Sequence, residues 1–336
     1  MIRRFATVAA VLTVVLIVAG GVVTNTDSGL ACPDWPTCFG SVVPKMAGNV
    51  AVEHTHRLIA TGVGLLTVAL AVLTLRRAAW LLAGFATLIL GAAFWAGHVK
   101  HVSDQLPALG VVLVAIGFAG CGWVIARARD RDGRLATAAL ALVIFQGLLG
   151  GLTVLYRLPT LVLVMHLGTS MLFLALMSVL AIGRPLRGDW LLWTTTIAVY
   201  LQILLGATVR HTGAGLVCVD LPYCRGALWP TGVHPMVHLH MAHRALALVV
   251  LALVFWSSLR TARASAGVVR WLALAAPALV LIQIGLGIAT ILTFKDLAPL
   301  TAHLLVGALL LADQVALLAL ARPLEQRIPL LEAAAT

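Results

Sequence analysis

The chain has 336 residues, of which 61% are hydrophobic and only 10% charged, and its mean hydropathy is +1.04. A water-soluble domain cannot hide that much apolar surface, so the composition excludes a soluble globular protein and indicates a membrane protein. A formal net charge of +11 could suggest a nucleic-acid partner. We expect none, because the basic residues are distributed as they are in proteins that use positive charge to orient in a bilayer.

Apolar stretches of about 20 residues recur along the chain, and each is long enough to cross about 30 Å of hydrocarbon. They predict an all-α polytopic fold, because a helix satisfies its own backbone polar groups in lipid. The ten predicted transmembrane helices, in chain order, are 5–23, 57–75, 80–98, 106–126, 135–156, 160–182, 190–209, 241–259, 269–293 and 299–321.

The basic residues predict the orientation. If the N-terminus is cytoplasmic, fifteen of the 23 Lys and Arg residues fall in cytoplasmic segments. This asymmetry follows the positive-inside rule and predicts that both termini are cytoplasmic.

An internal repeat divides the chain. The segment Thr26–Cys38 returns as Thr212–Cys224, and His56-Arg57 returns as His243-Arg244 at almost the same offset in numbering. Later landmarks return at a clearly smaller offset: Gln146 with Gly150 matches Gln283 with Gly287, and His166 matches His303. A repeat of this kind indicates two parallel units related by an axis along the membrane normal.

The smaller offset means that the first half carries about 50 extra residues, enough for two helices and their loops. We therefore predict an inserted helix pair at about 79–128. Without it, residues 1–183 form one four-helix unit (helices 1, 2, 5 and 6), and residues 184–336 form the second.

Four histidines occupy repeated positions. His56 and His243 are predicted to begin helices 2 and 8, and His166 and His303 lie in the first turns of helices 6 and 10. All four of these helices run inwards, so all four imidazoles lie near the outer face. A single intramembrane histidine is often only a hydrogen-bonding group, but duplicated pairs at one depth predict axial haem ligands in each bundle.

Four of the five cysteines form repeated pairs, Cys32 with Cys38 and Cys218 with Cys224, in outer loops where disulfides persist. Each pair could be a structural staple or a redox-active dithiol, and the sequence leaves both readings open.

Together these motifs resemble the haem A synthase family over almost the whole chain, apart from about 79–128. The residues that carry the resemblance are Gly20-Gly21, Ser28-Gly29-Leu30, Cys32-Pro33-Asp34-Trp35-Pro36, Cys38, Glu53 with His56-Arg57, Gln146 to Gly150, His166, Val209-Arg210-His211-Thr212, Cys218, Cys224, His243-Arg244 and His303.

The resemblance implies a multi-pass enzyme of the cell (inner) membrane that oxidises a methyl group of haem O to the formyl group of haem A. It implies that His56 and His166 hold the substrate haem, whereas His243 and His303 hold a permanent haem b. It also implies that a haem O synthase, cytochrome oxidase assembly factors, an unidentified electron acceptor and membrane lipid are partners, and a homo-oligomer is possible.

Glu53 is the predicted catalytic residue, because it lies one helical turn before His56 and the matching residue before His243 is His240. The alternative for Glu53 is an acid that stabilises a helix N-terminus. Arg57, Arg244 and Arg210 are predicted to contact haem propionates, and interfacial snorkelling is the alternative.

Two other functions compete with haem A synthesis. A two-haem electron-transfer protein would use the same histidines, but it would give Glu53 no role. A transporter would explain the duplication, but not the paired histidines.

Overall fold

The computed structural model describes residues 1–74, 79–99, 106–127 and 130–321. Within these ranges the regular secondary structure is helical, with two isolated bridges in the cysteine loops, so the predicted all-α fold is confirmed. A short 3-10 helix, Ala214–Leu216, follows the seventh α-helix. The α-helices are α1 (Ile2–Asn25), α2 (Gly48–Thr74), α3 (Ala79–Val99), α4 (Leu106–Arg127), α5 (Arg131–Leu155), α6 (Thr160–Ile182), α7 (Trp190–His211), α8 (Pro235–Arg263), α9 (Gly267–Leu292) and α10 (Leu297–Leu320).

In the described part of the chain, nine helices are long and apolar enough to cross a membrane. The chain is therefore a multi-pass membrane protein. Among the described residues of α3, the apolar stretch Ala83–Ala92 is too short to cross a membrane by itself. A tenth membrane crossing therefore stays a prediction. Residues 75–78, 100–105, 128–129 and 322–336, which include parts of the predicted insertion and of the second unit, lie outside the described residues.

The helices pack as two groups of four. In the first group, α1 and α5 each pack against both α2 and α6, so α2 and α6 face each other across the bundle. In the second, α7 and α9 each pack against both α8 and α10, which places α8 and α10 on the other diagonal. The four repeated histidines lie on these two diagonal pairs of helices.

The two groups are joined through α1, α6, α7 and α10. A large buried apolar cluster includes Ile17, Met171, Val199 and Leu311 and links the two groups across this junction. Removing such side chains from water and lipid into close packing holds the bundles together.

Helices α3 and α4, the predicted insertion, pack against each other and against α5. Ile89, Cys121 and Ile144 are buried together there. A side chain at Gly117 would overlap that of Ile89, so this glycine permits the close approach of α3 and α4. The insertion therefore lies on the α5 side of the first group.

Two helices begin earlier than hydropathy predicts. α2 begins at Gly48 and α8 at Pro235, so the prediction that His56 and His243 begin these helices was wrong; both lie in the third turn. Hydropathy marks the segment that crosses lipid, whereas a helix continues wherever its backbone groups stay paired. Pro235 is tolerated because the first helical residue needs no N–H donor.

Candidate functional site

Each of the four repeated histidines lies against a glycine of a neighbouring helix. A Cβ added to Gly20 of α1 would lie 3.0 Å from the ring carbon Cε1 of His56, and one added to Gly206 of α7 would lie 2.9 Å from Cε1 of His243. These distances are shorter than ordinary carbon contacts. Glycine at these two positions therefore lets the neighbouring helix approach the imidazole closely.

The other two histidines have the same environment. A Cβ on Gly150 of α5 would lie 3.4 Å from Cε1 of His166, and one on Gly287 of α9 would lie 3.2 Å from Cε1 of His303. All four imidazoles are thus held beside a glycine, on the two diagonal pairs of helices.

The histidines of each bundle are close enough for their rings to interact electrostatically, His56 with His166 and His243 with His303. Within the described residues, the Nδ1 atoms of His56, His166 and His243 are buried and have no hydrogen-bond partner. In His303, Nδ1 lies 3.0 Å from the backbone oxygen of Gln283.

Backbone carbonyls of the histidines are also engaged. The side-chain amide of Gln146 donates to the carbonyl of His166 at 2.8 Å, and that of Gln202 donates to the carbonyl of His243 at 3.0 Å. These bonds tie each histidine helix to its neighbour and fix the position of the ring.

The residues present fit a haem in each bundle. Two imidazoles that face each other across a four-helix bundle are a usual means of axial iron ligation. Ligation of a metal through Nε2 would leave Nδ1 as a donor, and in His303 that donor meets the backbone oxygen of Gln283. The glycines supply room beside the ring that any other side chain would occupy.

Glu53 is buried, with 4% of its surface exposed. Its Oε2 accepts a hydrogen bond from the backbone N–H of Cys32 at 2.7 Å, and its Oε1 forms an ion pair with Arg57 at 2.5 Å. No acidic residue lies in the first turn of α2, so Glu53 is not a helix N-terminal acid. Its two oxygens instead connect α2 to the first cysteine loop.

Arg57 and Arg244 hold the two loops through matching atoms. Arg57 donates to the backbone oxygens of Cys32, Asp34 and Thr37, at 3.3, 2.8 and 2.6 Å. Arg244 donates to the three backbone oxygens at the corresponding positions of the repeat. These acceptors are Cys218 at 2.5 Å, Asp220 at 2.9 Å and Tyr223 at 3.1 Å.

Both cysteine pairs that the repeat indicates form disulfides, Cys32 with Cys38 and Cys218 with Cys224. All four cysteines are buried. Each disulfide closes a short loop that also carries the carbonyls bound by the adjacent arginine.

The first loop has a further internal brace at Asp34. Its carboxylate accepts hydrogen bonds from the Thr37 hydroxyl and from the backbone N–H groups of Phe39 and Gly40, at 2.5, 2.5 and 2.9 Å. Partial burial raises the pKa of Asp34, but these hydrogen bonds outweigh it and hold that pKa below its ordinary value. In the second loop, Asp220 accepts from the backbone N–H of Arg225 at 2.8 Å.

Arg210, the third predicted propionate contact, lies in the last turn of α7. It donates to the backbone oxygen of Thr24 and to Oδ1 of Asn25, both at 3.3 Å. Its Nε is buried without a partner among the described residues. It lies one helical turn after Gly206, on the face of α7 that contacts His243.

Sequence reasoning missed three features of these sites. It did not identify Gly206, which the repeat could have indicated, since Gly206 precedes Thr212 by as much as Gly20 precedes Thr26. It gave no role to His54, which is 5% exposed and has both ring nitrogens unpartnered within the described residues. The His54 ring lies within 4.8 Å of the sulfurs of Cys32 and Cys38.

The third missed feature concerns Arg57 and Arg244, for which sequence reasoning considered only contact with propionates or interfacial snorkelling. The two arginines carry loop contacts that no sequence pattern indicated, because their acceptors are backbone oxygens far from them along the chain. Contact of either arginine with a propionate stays a prediction.

The chain matches relatives along most of its length. It is 27% identical over 333 residues to the heme A synthase of Lysinibacillus sphaericus, covering 92% of this chain and 91% of the relative. It is 26% identical to the heme A synthase of Shouchella clausii, with 88% of each chain covered. To that of Symbiobacterium thermophilum it is 28% identical, with 72% and 70% covered.

A family model described as cytochrome oxidase assembly protein matches residues 3–51 and 47–315. These two segments span the helices and loops that carry all four histidines, Glu53 and both disulfides. The chain therefore belongs to the COX15-CtaA family of cytochrome oxidase assembly proteins.

Proposed function

We propose that this chain is a haem A synthase, a membrane-bound, haem-dependent oxidoreductase. It oxidises a pyrrole methyl group of haem O to a formyl group and so provides haem A for cytochrome oxidase. The observation that carries the proposal is the pair of half-buried histidines on the diagonal helices of each bundle. Among the described residues, the buried carboxylate of Glu53 lies one turn before His56, whereas the buried His240 takes that position before His243. The family and the heme A synthase relatives support it.

The proposed architecture is two copies of one four-helix unit, with both termini cytoplasmic and the haem sites towards the outer face of the cell (inner) membrane. Residues 1–183 form the substrate unit and residues 184–336 the haem b unit. The matched contacts of Arg57 and Arg244, and the four histidine–glycine contacts, support this duplication.

His56 and His166 are the proposed ligands of the substrate haem, and His243 and His303 those of haem b. When bound, haem b supplies a one-electron redox centre beside the substrate unit. The oxidation also requires an external electron acceptor. The proposed partners in the lipid bilayer are a haem O synthase and cytochrome oxidase assembly factors.

Glu53 is the proposed catalytic residue. Conversion of a methyl group to a formyl group takes up one oxygen atom, which water can supply, and releases four protons together with four electrons for the external acceptor. A carboxylate at that place can accept a proton or stabilise developing positive charge. The bonds from Cys32 N–H and Arg57 fix its orientation. At the matching position of the other unit His240 offers no carboxylate.

The first experiment is haem extraction and chromatography from cells that express this chain together with a haem O synthase. We expect haem A, which is absent when this chain is omitted. If a suitable electron acceptor is present and only haem B and haem O are found, the chain is not a haem A synthase. Purification with bound haem b would then favour an electron-transfer protein, a function that the comparisons do not favour.

Glu53→Gln tests the catalytic assignment, and His240→Gln is its matched control in the other unit. We expect Glu53→Gln to lower haem A formation by about 100-fold, the usual loss when a general acid–base group is removed, while the haem b absorption spectrum persists. His240→Gln should leave haem A formation within about threefold of the parent, since it removes no proton acceptor from the substrate unit. Unchanged haem A formation in Glu53→Gln would rule out a catalytic role.

A further inference from the structure

The outer ends of the two bundles differ in charge at matching positions. Thr24 lies one turn outwards from Gly20 on α1, and Arg210 lies one turn outwards from Gly206 on α7. Each therefore lies above the histidine that contacts that glycine. The first unit has a neutral hydroxyl at this place, and the second has a guanidinium whose Nε is unpartnered in the described chain.

A second matching pair shows the same difference. In the first unit, Leu158 lies over Gly29, and Cδ2 of Leu158 would be 3.3 Å from a Cβ built there. In the second unit, Lys295 lies over Gly215, and its Cε and Nζ would be 3.1 and 3.6 Å from the corresponding Cβ. Leu158 corresponds to Lys295, and Gly29 to Gly215, by the same two offsets that define the repeat.

Lys295 and Arg210 lie close enough to repel each other. Burial, together with the positive charge of Arg210, lowers the pKa of Lys295. Two acids lie nearby: Asp27, which interacts electrostatically with Arg210, and Asp296, which follows Lys295 in the sequence. Both have exposed side chains. Two partly buried cations at one place are unfavourable unless an anion joins them.

His240 adds to the contrast. It is 4% exposed, its Nδ1 has no partner among the described residues, and it lies one turn before His243 and near Lys295. Its counterpart Glu53 places a carboxylate at the same position of the first unit. At these matching positions the second unit has Arg210, Lys295 and His240, whereas the first unit has Thr24, Leu158 and Glu53. These positions therefore favour an anion in the second unit more than in the first.

We propose that Lys295, together with Arg210, binds the propionate carboxylates of the haem in the second unit and makes that haem the resident one. Leu158 and Thr24 at the matching positions leave the haem of the first unit free to exchange, as a substrate and its product must. This inference rests on the proposed function for the identity of the two haems, but it concerns retention rather than oxidation. Charge-assisted bonds to a carboxylate act mainly on the rate of dissociation.

The test measures how fast haem leaves the purified chain. The chain is loaded with haem at both sites and mixed with an excess of apomyoglobin, and visible absorption records the transfer over time. We expect a fast phase from the first unit and a slow phase from the second. Lys295→Leu should speed the slow phase about tenfold, which corresponds to about 1.4 kcal/mol. Lys295→Arg, which keeps the charge, should leave it within about twofold.

The reciprocal change is Leu158→Lys, which places the cation in the first unit. We expect it to slow the fast phase by several-fold, a gain that misfolding could not produce. Loading with haem dimethyl ester, which has no free carboxylates, should remove the difference between the parent and Lys295→Leu. If the difference persists with the ester, Lys295 acts on something other than propionates, such as a lipid headgroup, and the proposal fails.

The two proposals fail in different ways. If Lys295→Leu leaves the slow phase unchanged, or speeds only the fast phase, the retention proposal is wrong even where haem A is formed. If haem A is never formed but these rates change as described, the proposed enzymatic function is wrong and the retention proposal stands.

Discussion

The two bundles hold their histidines in the same way and surround them with different charges. Glycines contact the imidazoles in both, and an arginine in each binds the same three carbonyls of a disulfide loop. Glu53 in the first unit corresponds to His240 in the second, and Leu158 corresponds to Lys295. The shared contacts form a common scaffold, and we propose that the differing charges separate a reactive site from a retaining one.

The largest expected effect tests the shared scaffold. Gly20→Val should abolish haem binding in the first unit, and Gly206→Val should abolish it in the second, because the added side chain would overlap His56 or His243. The measurement is haem per chain by the pyridine haemochromogen assay. Gly285→Val is the control, since a Cβ there meets nothing within 4 Å; equal haem loss in this variant would contradict the assignment.

The next effect compares the two loop anchors. Arg57→Met should lower the free energy of unfolding by about 3 kcal/mol, because it leaves the buried Glu53 carboxylate without its ion-pair partner. Arg244→Met should cost about 2 kcal/mol, since it loses hydrogen bonds but leaves no acid unpaired. Thermal unfolding in detergent measures both. A larger cost for Arg244→Met would mean that Glu53 does not depend on Arg57.

Removing each disulfide in turn tests whether it is structural or redox-active. Removing either one by a double Cys→Ser substitution should cost about 2 kcal/mol, as expected for a short closed loop. We expect the folded Cys32→Ser, Cys38→Ser variant to retain haem A formation, as the Cys218→Ser, Cys224→Ser control should. Loss of haem A in a folded first-loop variant alone would instead indicate that Cys32 and Cys38 exchange electrons.

The smallest effect concerns Asp34. Its pKa is lowered in the folded chain, so its contribution to stability is present above the unfolded pKa near 3.8 and is lost as pH falls through the lower, folded value. Asp34→Asn should therefore cost about 1 kcal/mol at neutral pH, and this difference from the parent should vanish in strong acid. Thermal unfolding against pH measures this, with Asp220→Asn, which loses a single hydrogen bond, as the milder control.

The sequence by itself determined the helical membrane fold, the family and the pairing of the cysteines. Apolar runs of sufficient length are a local property, and so is the helix that each forms in lipid. The internal repeat also pointed to the four histidines. Helix starts were less predictable, because α2 and α8 extend beyond the apolar segments that hydropathy detects.

Only the tertiary structure decided which groups meet around those histidines. Arg57 binds carbonyls of a loop that lies well before it in the chain, and Lys295 lies over Gly215 across two helices. Such contacts depend on how separate helices and loops pack against one another. Hydrophobic periodicity shows which face of a helix is buried, but not which residues of another element it meets. The chain thus encodes its helices locally, but the charges at its two sites are brought together only by folding.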